Sequence, residues 1–310
     1  MQAKSFNWYV NTKPLPATPD IESALSKHCF EPCGSQQVSS QGWVRPLLQE
    51  GLVYEAHGAQ LLMLKQEKRL LPASVVNDYL QEKLEAFEAE EGYMPSRKVR
   101  LQMKEDLTLE LLPKAFTKAS TTPILIFPRQ GWLLVMTGSA KAAEDATAFL
   151  RESLGSLPIA LMNSDISPAH NMTLWLTAPA ELPEEWSLGE EAELRDADGA
   201  LAKVQNQDLF SDELSVHTDA GKIVSKLQLI WREDVSIILQ DDLSVKRIKL
   251  LLETDDADGV GEGQDAKFAH EFAVTCNWIV PFCHSLLKAF GGLDKALAAS
   301  QEKAMNSEAA

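Results

Sequence analysis

A mixed α+β fold, built mainly from antiparallel sheet with long helices, is predicted by three features of this 310-residue sequence. Short apolar runs recur in clusters separated by turn residues, the pattern of hairpins and meanders rather than of repeated βαβ units. Between two such clusters lie two amphipathic helical stretches joined by a short polar break. The composition, 45% apolar and 24% charged, is that of a globular chain long enough for two domains.

The elements follow in order. Phe6 to Val10 is predicted as a strand. Pro19 and Asp20 open a short helix with Ile21, Ala24 and Leu25 on one face. Strands are expected at Trp43–Val44, Leu52–Glu55 and Gln60–Lys65, the last two joined by a turn at His57–Gly58. Pro72 then starts a long helix in which Val76, Leu80, Leu84 and Phe87 recur at helical spacing, and Gly92 and Pro95 break it. A second helix carries Val99, Met103, Leu107 and Leu111, and Pro113 closes it. The pair is expected to form a protruding antiparallel hairpin whose apolar face is buried on the body of the chain or on a partner. Ile124–Phe127 and Trp132–Met136 form a hairpin around Arg129–Gly131, and Ala140 to Leu154 is a helix stopped by Gly155.

In the second half Leu174–Leu176 is a short element, and the acidic stretch to Asp198 is expected to hold turns and short strands. Ala200–Val204 is a strand, and Ser211 caps a short helix to His217. Lys222–Trp231, Val235–Leu239 and Val245–Leu250 form a three-stranded meander, followed by a flexible acidic loop at Asp255–Gly263 and a long apolar helix from Lys267 to Leu287. The domain expectation is an N-terminal α+β region, 1–160, carrying the helical hairpin at about 73–113. A C-terminal α+β region, 161–298, and a frayed tail, 299–310, complete it. The paired helices and the C-terminal helix offer more apolar stripe than one small body needs, so a homodimer is expected.

Composition excludes several classes. No apolar run is long enough to span a bilayer, and the N-terminus lacks a signal-peptide core, so a cytoplasmic address is expected. Cys29, Cys33, Cys276 and Cys283 are read as free thiols; a zinc site with His28 or His284 can be drawn, but neither pair has knuckle spacing. The net charge of −16 argues against nucleic acid unless charge is segregated, and it is. Residues 181–198 hold eight acids and one base, and 253–265 hold six acids and no base. Arg97 to Lys118 holds six bases and three acids, and Lys222 to Lys249 holds six bases and four acids. Such runs can equally be solvated faces.

No catalytic signature stands out. Phosphate-loop, dinucleotide and nucleophile-elbow patterns are lacking, and the glycines at Gly259–Gly263 lie in an acidic stretch that would repel phosphate. Asp241 and Asp242 follow a strand, where acids can hold Mg²⁺ for DNA processing, but Asp-Asp-Leu-Ser also suits a turn within the meander. No cofactor is expected, and no catalytic or metal-binding residue is assigned.

Six strings in register resemble the RdgC family: Phe30-Glu-Pro-Cys-Gly-Ser-Gln36 with Gly42-Trp43-Val44, Glu67 to Pro72, Leu111 to Phe116, Leu150 to Pro158, Ala220 to Trp231, and Asp241-Asp242 with Lys246 to Lys249. Lys114 stands where Arg is expected, and the Glu67–Pro72 string has one extra residue. The resemblance implies an open crescent that dimerises head to head into a ring with a central hole. It implies binding of double- and single-stranded DNA without sequence preference and antagonism of RecA-promoted strand exchange. It also implies a role in replication-fork maintenance, nucleoid association and no membrane partner. The positive lining is then expected at Lys98, Arg100, Lys104, Lys114, Lys118, Lys222, Lys226, Lys246, Arg247 and Lys249. Phe116 is either core or an apolar anchor across the dimer contact, and Lys226 either a solvated strand residue or a phosphate or interface contact. A metal-dependent enzyme using Asp241 and Asp242, and an acidic protein-interaction scaffold, are the alternatives.

Overall fold

The computed structural model describes residues 3–46, 51–251 and 263–306. In chain order the first elements are β1 (Asn7–Asn11), α1 (Thr18–Leu25), β2 (Ser39–Val44), β3 (Val53–Ala56), β4 (Ala59–Leu70), α2 (Ala73–Glu91) and α3 (Arg97–Leu111). Then come β5 (Phe116–Phe127), β6 (Trp132–Val135), α4 (Ala140–Leu154), β7 (Ile159–Leu161) and α5 (Pro168–Thr177). The last are β8 (Trp186–Arg195), β9 (Leu201–Val204), α6 (Asp212–Asp219), β10 (Ile223–Trp231), β11 (Val235–Gln240), β12 (Val245–Leu250), α7 (Gln264–Ala289) and α8 (Lys295–Asn306). The fold is mixed α+β with antiparallel sheet, as the sequence predicts.

Two compact units divide the chain, one of Met1–Leu25, Arg45–Leu62 and Thr122–Ala310, the other of Ser26–Val44 and Met63–Thr121. The chain passes between them four times, at the end of α1, at the end of β2, within β4 and within β5. In the smaller unit β2 pairs antiparallel with β4, and α2 and α3 form the helical hairpin. Its punctuation is physical. Gly92 ends α2 at φ 79° with its N–H on the Glu88 carbonyl, and the Ser96 hydroxyl accepts from the Val99 N–H to start α3. Val76, Leu84 and Leu107 are the buried side chains between helices that are otherwise largely solvated.

Gly42 explains part of the Gly-Trp-Val string. The Phe30 N–H donates to the Trp43 carbonyl at 3.0 Å, and a Cβ at Gly42 would sit 2.3 Å from the Phe30 Cα. Backbone cannot retreat as a side chain can, so Gly42→Ala should cost about 1–3 kcal/mol by overpacking. Thermal melting checks this; an unchanged melting temperature would show that the two segments separate freely.

In the larger unit β1 runs between β6 and β7, and β6 also pairs with the end of β5. The β3–β4 turn is tight because His57 and Gly58 both take positive φ, 53° and 73°, the geometry of a hairpin turn. A second sheet has the order β12-β11-β10-β8-β9. Leu227, Leu229 and Trp231 face its core side, where Trp186 and Phe282 of α7 join them, while Lys226 and Gln228 face outward. The Phe6 and Val245 backbones hydrogen-bond at 2.8 and 3.0 Å, tying the approach to β1 to the start of β12.

Several expectations change. The acidic stretch before Asp198 is one ten-residue strand, β8, because Trp186, Ala192 and Leu194 point inward while Glu191 and Glu193 take the other face. Leu174–Leu176 lies inside the helix α5. The strand expected from Ile124 begins at Phe116. Ser211 occupies the position before α6, but its side chain makes no cap; its Oγ accepts from Gln207 Nε2 at 3.2 Å instead. Helix α8 runs through Asn306, into the stretch expected to fray. The acidic loop, apart from Gly263, lies outside the described residues.

Candidate nucleic-acid interface

The smaller unit carries five of the ten expected bases. Lys98 and Arg100 lie exposed in the first turns of α3, and Lys104 is half-buried one turn further on. Lys114 is exposed in the turn after α3 and approaches Glu110 at 3.8 Å. Lys118 is exposed on β5. Among the described residues Lys98, Arg100, Lys104 and Lys118 have no ion-pair partner within 4.0 Å. Their charge is therefore available to an external anion at no cost in broken pairs.

Phe116 lies in the same unit and is 85% exposed, so core packing within the chain is not its role. Arg69 organises its surroundings. The Arg69 N–H donates to the Val38 carbonyl at 2.8 Å, and its Nη1 donates to the Ala115 carbonyl at 3.1 Å. Val38 and Leu70, next to these contacts, are 64% and 51% exposed. Three exposed apolar side chains thus belong to segments that one arginine ties together.

The larger unit carries the other five bases on or beside the outward face of the second sheet, and here the acids of β8 answer them. Lys226 Nζ meets Glu193 Oε2 at 2.9 Å, and Arg195 Nη2 meets Glu193 Oε1 at 2.8 Å. Arg247 Nη1 reaches Glu191 at 2.9 and 2.7 Å. Lys222 is largely buried, with Nζ 3.2 Å from Asp196 Oδ2 and 2.9 Å from the Ala200 carbonyl. Lys246 and Lys249 have no ion-pair partner among the described residues, Lys249 being exposed and Lys246 half-buried.

The carboxyls respond accordingly. Burial works against ionising Glu193, but hydrogen bonds from Lys226 and Arg195 outweigh it and hold the group below the ordinary range. Glu191 is lowered in the same way, against burial, by Gln205 and Arg247. Asp196 is lowered by the Ala200 N–H first and Lys222 second. A lowered carboxyl stabilises the fold above its unfolded value, 4.5 for glutamate, and loses that contribution as pH falls through the folded value. The melting temperature should therefore drop below about pH 4.5 more steeply in the native chain than in Glu193→Gln. Parallel acid limbs in the two proteins would contradict the assignment.

Asp241 and Asp242 form the turn. The Ser244 N–H donates to Asp242 Oδ1 at 2.9 Å, and the Gln240 N–H to the Ser244 carbonyl at 3.1 Å. Burial, then the Asp242 charge, pushes the Asp241 carboxyl up. Among the described residues no group of three or more His, Cys, Asp or Glu side chains is placed to hold a metal ion. The four cysteines are free, and burial raises the Cys276 thiol to about 11 and pushes the Cys283 thiol well above its ordinary value. No described helix is long and apolar enough to cross a membrane.

Sequence reasoning missed Glu191, Glu193 and Lys203. Lys203 stands opposite Glu193 in the β8–β9 register, and Lys226 stands opposite it on the other side. The alternation Glu191-Ala192-Glu193-Leu194 is the signal that could have found the strand.

A family model described as "RdgC: Putative exonuclease, RdgC" matches residues 1–293. Three similar proteins carry the name Recombination-associated protein RdgC. The one from Tolumonas auensis is 39% identical over 299 residues, 94% of this chain and 99% of that protein. The one from Aeromonas hydrophila is 37% identical over 305 residues, 96% of this chain and 100% of that protein. The one from Pseudomonas entomophila is 35% identical over 301 residues, 94% of this chain and 98% of that protein.

Proposed function

This chain belongs to the RdgC family, and from that premise we propose that it binds double- and single-stranded DNA without sequence preference, as a ring-shaped homodimer that restrains RecA-promoted strand exchange. The relatives' names tie the family to recombination. The observation that carries the DNA reading is the set of unpaired bases Lys98, Arg100, Lys104 and Lys118 in a chain of net charge −16. Phosphates are the partners that such bases fit, and phosphate contacts carry no base sequence. The exposed Val38, Leu70 and Phe116 support a dimer contact in the same unit. The ring and the opposition to RecA rest on the family resemblance. A nucleoid-associated, cytoplasmic protein that works without cofactor is the corresponding reading.

The family model's description favours a second reading, a DNA-cleaving enzyme. The candidate acids fit it poorly, since Asp242 is engaged in its own turn and, among the described residues, no third His, Cys, Asp or Glu joins the pair to hold a metal ion. Purified protein with Mg²⁺ or Mn²⁺ should retain end-labelled duplex and single strand on a native gel and leave both intact on a denaturing one. Cleavage abolished by Asp241→Asn with Asp242→Asn would establish the enzyme instead.

A further inference from the structure

On the outward face of the second sheet, Glu191, Glu193, Lys203, Lys226 and Arg247 line a small notch of about 60 Å³, with Ala192, Val204 and Ile238 also contributing to its lining. Three bases and two acids meet there. The notch is not an incidental surface pairing. Arg247 sits on β12 and Glu191 on β8, with β11 and β10 between them in the sheet, so the two side chains together bridge strands that do not pair. Its backbone holds φ at 49°, a left-handed conformation that costs a non-glycine residue energy, beside an irregularity in the β11–β12 register. Glu193 is only 8% exposed and is held between Lys226 and Arg195, with the Ser225 hydroxyl 3.3 Å away. Glu191 is held by Arg247 and by Gln205 Nε2 at 3.1 Å, but its side chain is 23% exposed against 10% for Glu193.

We propose that this notch is a phosphodiester subsite kept closed by its own carboxylates: Glu191 occupies the Arg247 guanidinium as a phosphate oxygen would, and a DNA phosphate engages Arg247, Lys226 and Lys203 by displacing it. The inference rests on the DNA-binding reading above. The chemistry is a competition between two oxyanions for one planar donor fork. Glu193 is too buried to leave and stays with Lys226, so Glu191 is the exchangeable partner. The carboxylate thereby sets a threshold. A single weak anion gains little by replacing an attached one, whereas a phosphate already delivered by contacts elsewhere on the same strand pays no further cost of association. Arg247 then joins late, after Lys246 and Lys249 of the same sheet, which no carboxylate among the described residues holds.

The test is fluorescence anisotropy of random-sequence labelled duplex on the full chain, over a salt series. Glu191→Gln keeps the shape and removes the competing charge. It should tighten binding by up to about fivefold near ~0.1 M salt, the range of an exposed ion pair, with the salt slope little changed because the same phosphate contacts form in both proteins. The same change in an Arg247→Ala background should not tighten binding. Glu152→Gln, an equal change of net charge on α4, should not tighten it either. Inorganic phosphate at constant ionic strength should not compete. Wild-type protein that fails to bind duplex at low salt would remove the underlying DNA reading. Wild-type protein that binds, with Glu191→Gln no tighter, or with Glu152→Gln equally tight, would overturn the closed subsite alone. Competition by inorganic phosphate that vanishes in Arg247→Ala would overturn it too, by making the notch an open site for a free anion.

Discussion

Replacing Lys98, Arg100, Lys104 and Lys118 together by Ala should weaken duplex binding on the order of a thousandfold near ~0.1 M salt. The size follows from counterion release. Each neutralised phosphate contributes about −0.9 to the slope of log affinity against log salt, so five contacts give roughly −4 to −5 and four removals leave a slope near about −1. These four are chosen because no carboxylate among the described residues holds them, so removing them strands no partner. The loss should be the same for unrelated sequences, because phosphates are alike everywhere. Circular dichroism and melting should be nearly unchanged, since Lys98, Arg100 and Lys118 are exposed and Lys104 is only half-buried. A slope that stays near that of the native chain would move the interface off α3 and β5.

Phe116→Ala should weaken the homodimer by about 2 kcal/mol or more, some thirtyfold in dissociation constant, with little change in the melting of the monomer. The two readings of this residue predict opposite observables. A core phenylalanine truncated to alanine costs about 3–5 kcal/mol of folding stability. One that is 85% exposed cannot cost that, because it has almost no buried area to lose within its own chain. Sedimentation against concentration separates the cases. An unchanged dimer would take Phe116 out of the contact, and attention would pass to Val38 and Leu70 beside Arg69.

Much of this architecture was legible because it is written in local chemistry. Pro72, Gly92, Pro95 and Pro113 bracket two helices, and each acts through its own backbone. The His57–Gly58 turn and the three-stranded meander are equally local. What was missed depends on register. The dense acids of 184–196 suggest an irregular stretch until they are paired strand by strand, when Glu191 and Glu193 fall on one face opposite Lys203 and Lys226. Arg247 meets Glu191 only because three neighbouring strand pairings and their irregularities bring β12 and β8 into line. Sequence spacing cannot give that. The candidate bases were legible as clusters, but their availability was not. Linear charge counting treats Lys222, mostly buried on Asp196, like Lys118, exposed on β5.

The most direct test of the account is the affinity of the native protein for random-sequence duplex and single strand across a salt series without divalent metal. The account predicts retention of both, a duplex slope of roughly −4 to −5 and indifference between unrelated sequences. No retention at low salt, or strong preference for one sequence at constant salt, would contradict it.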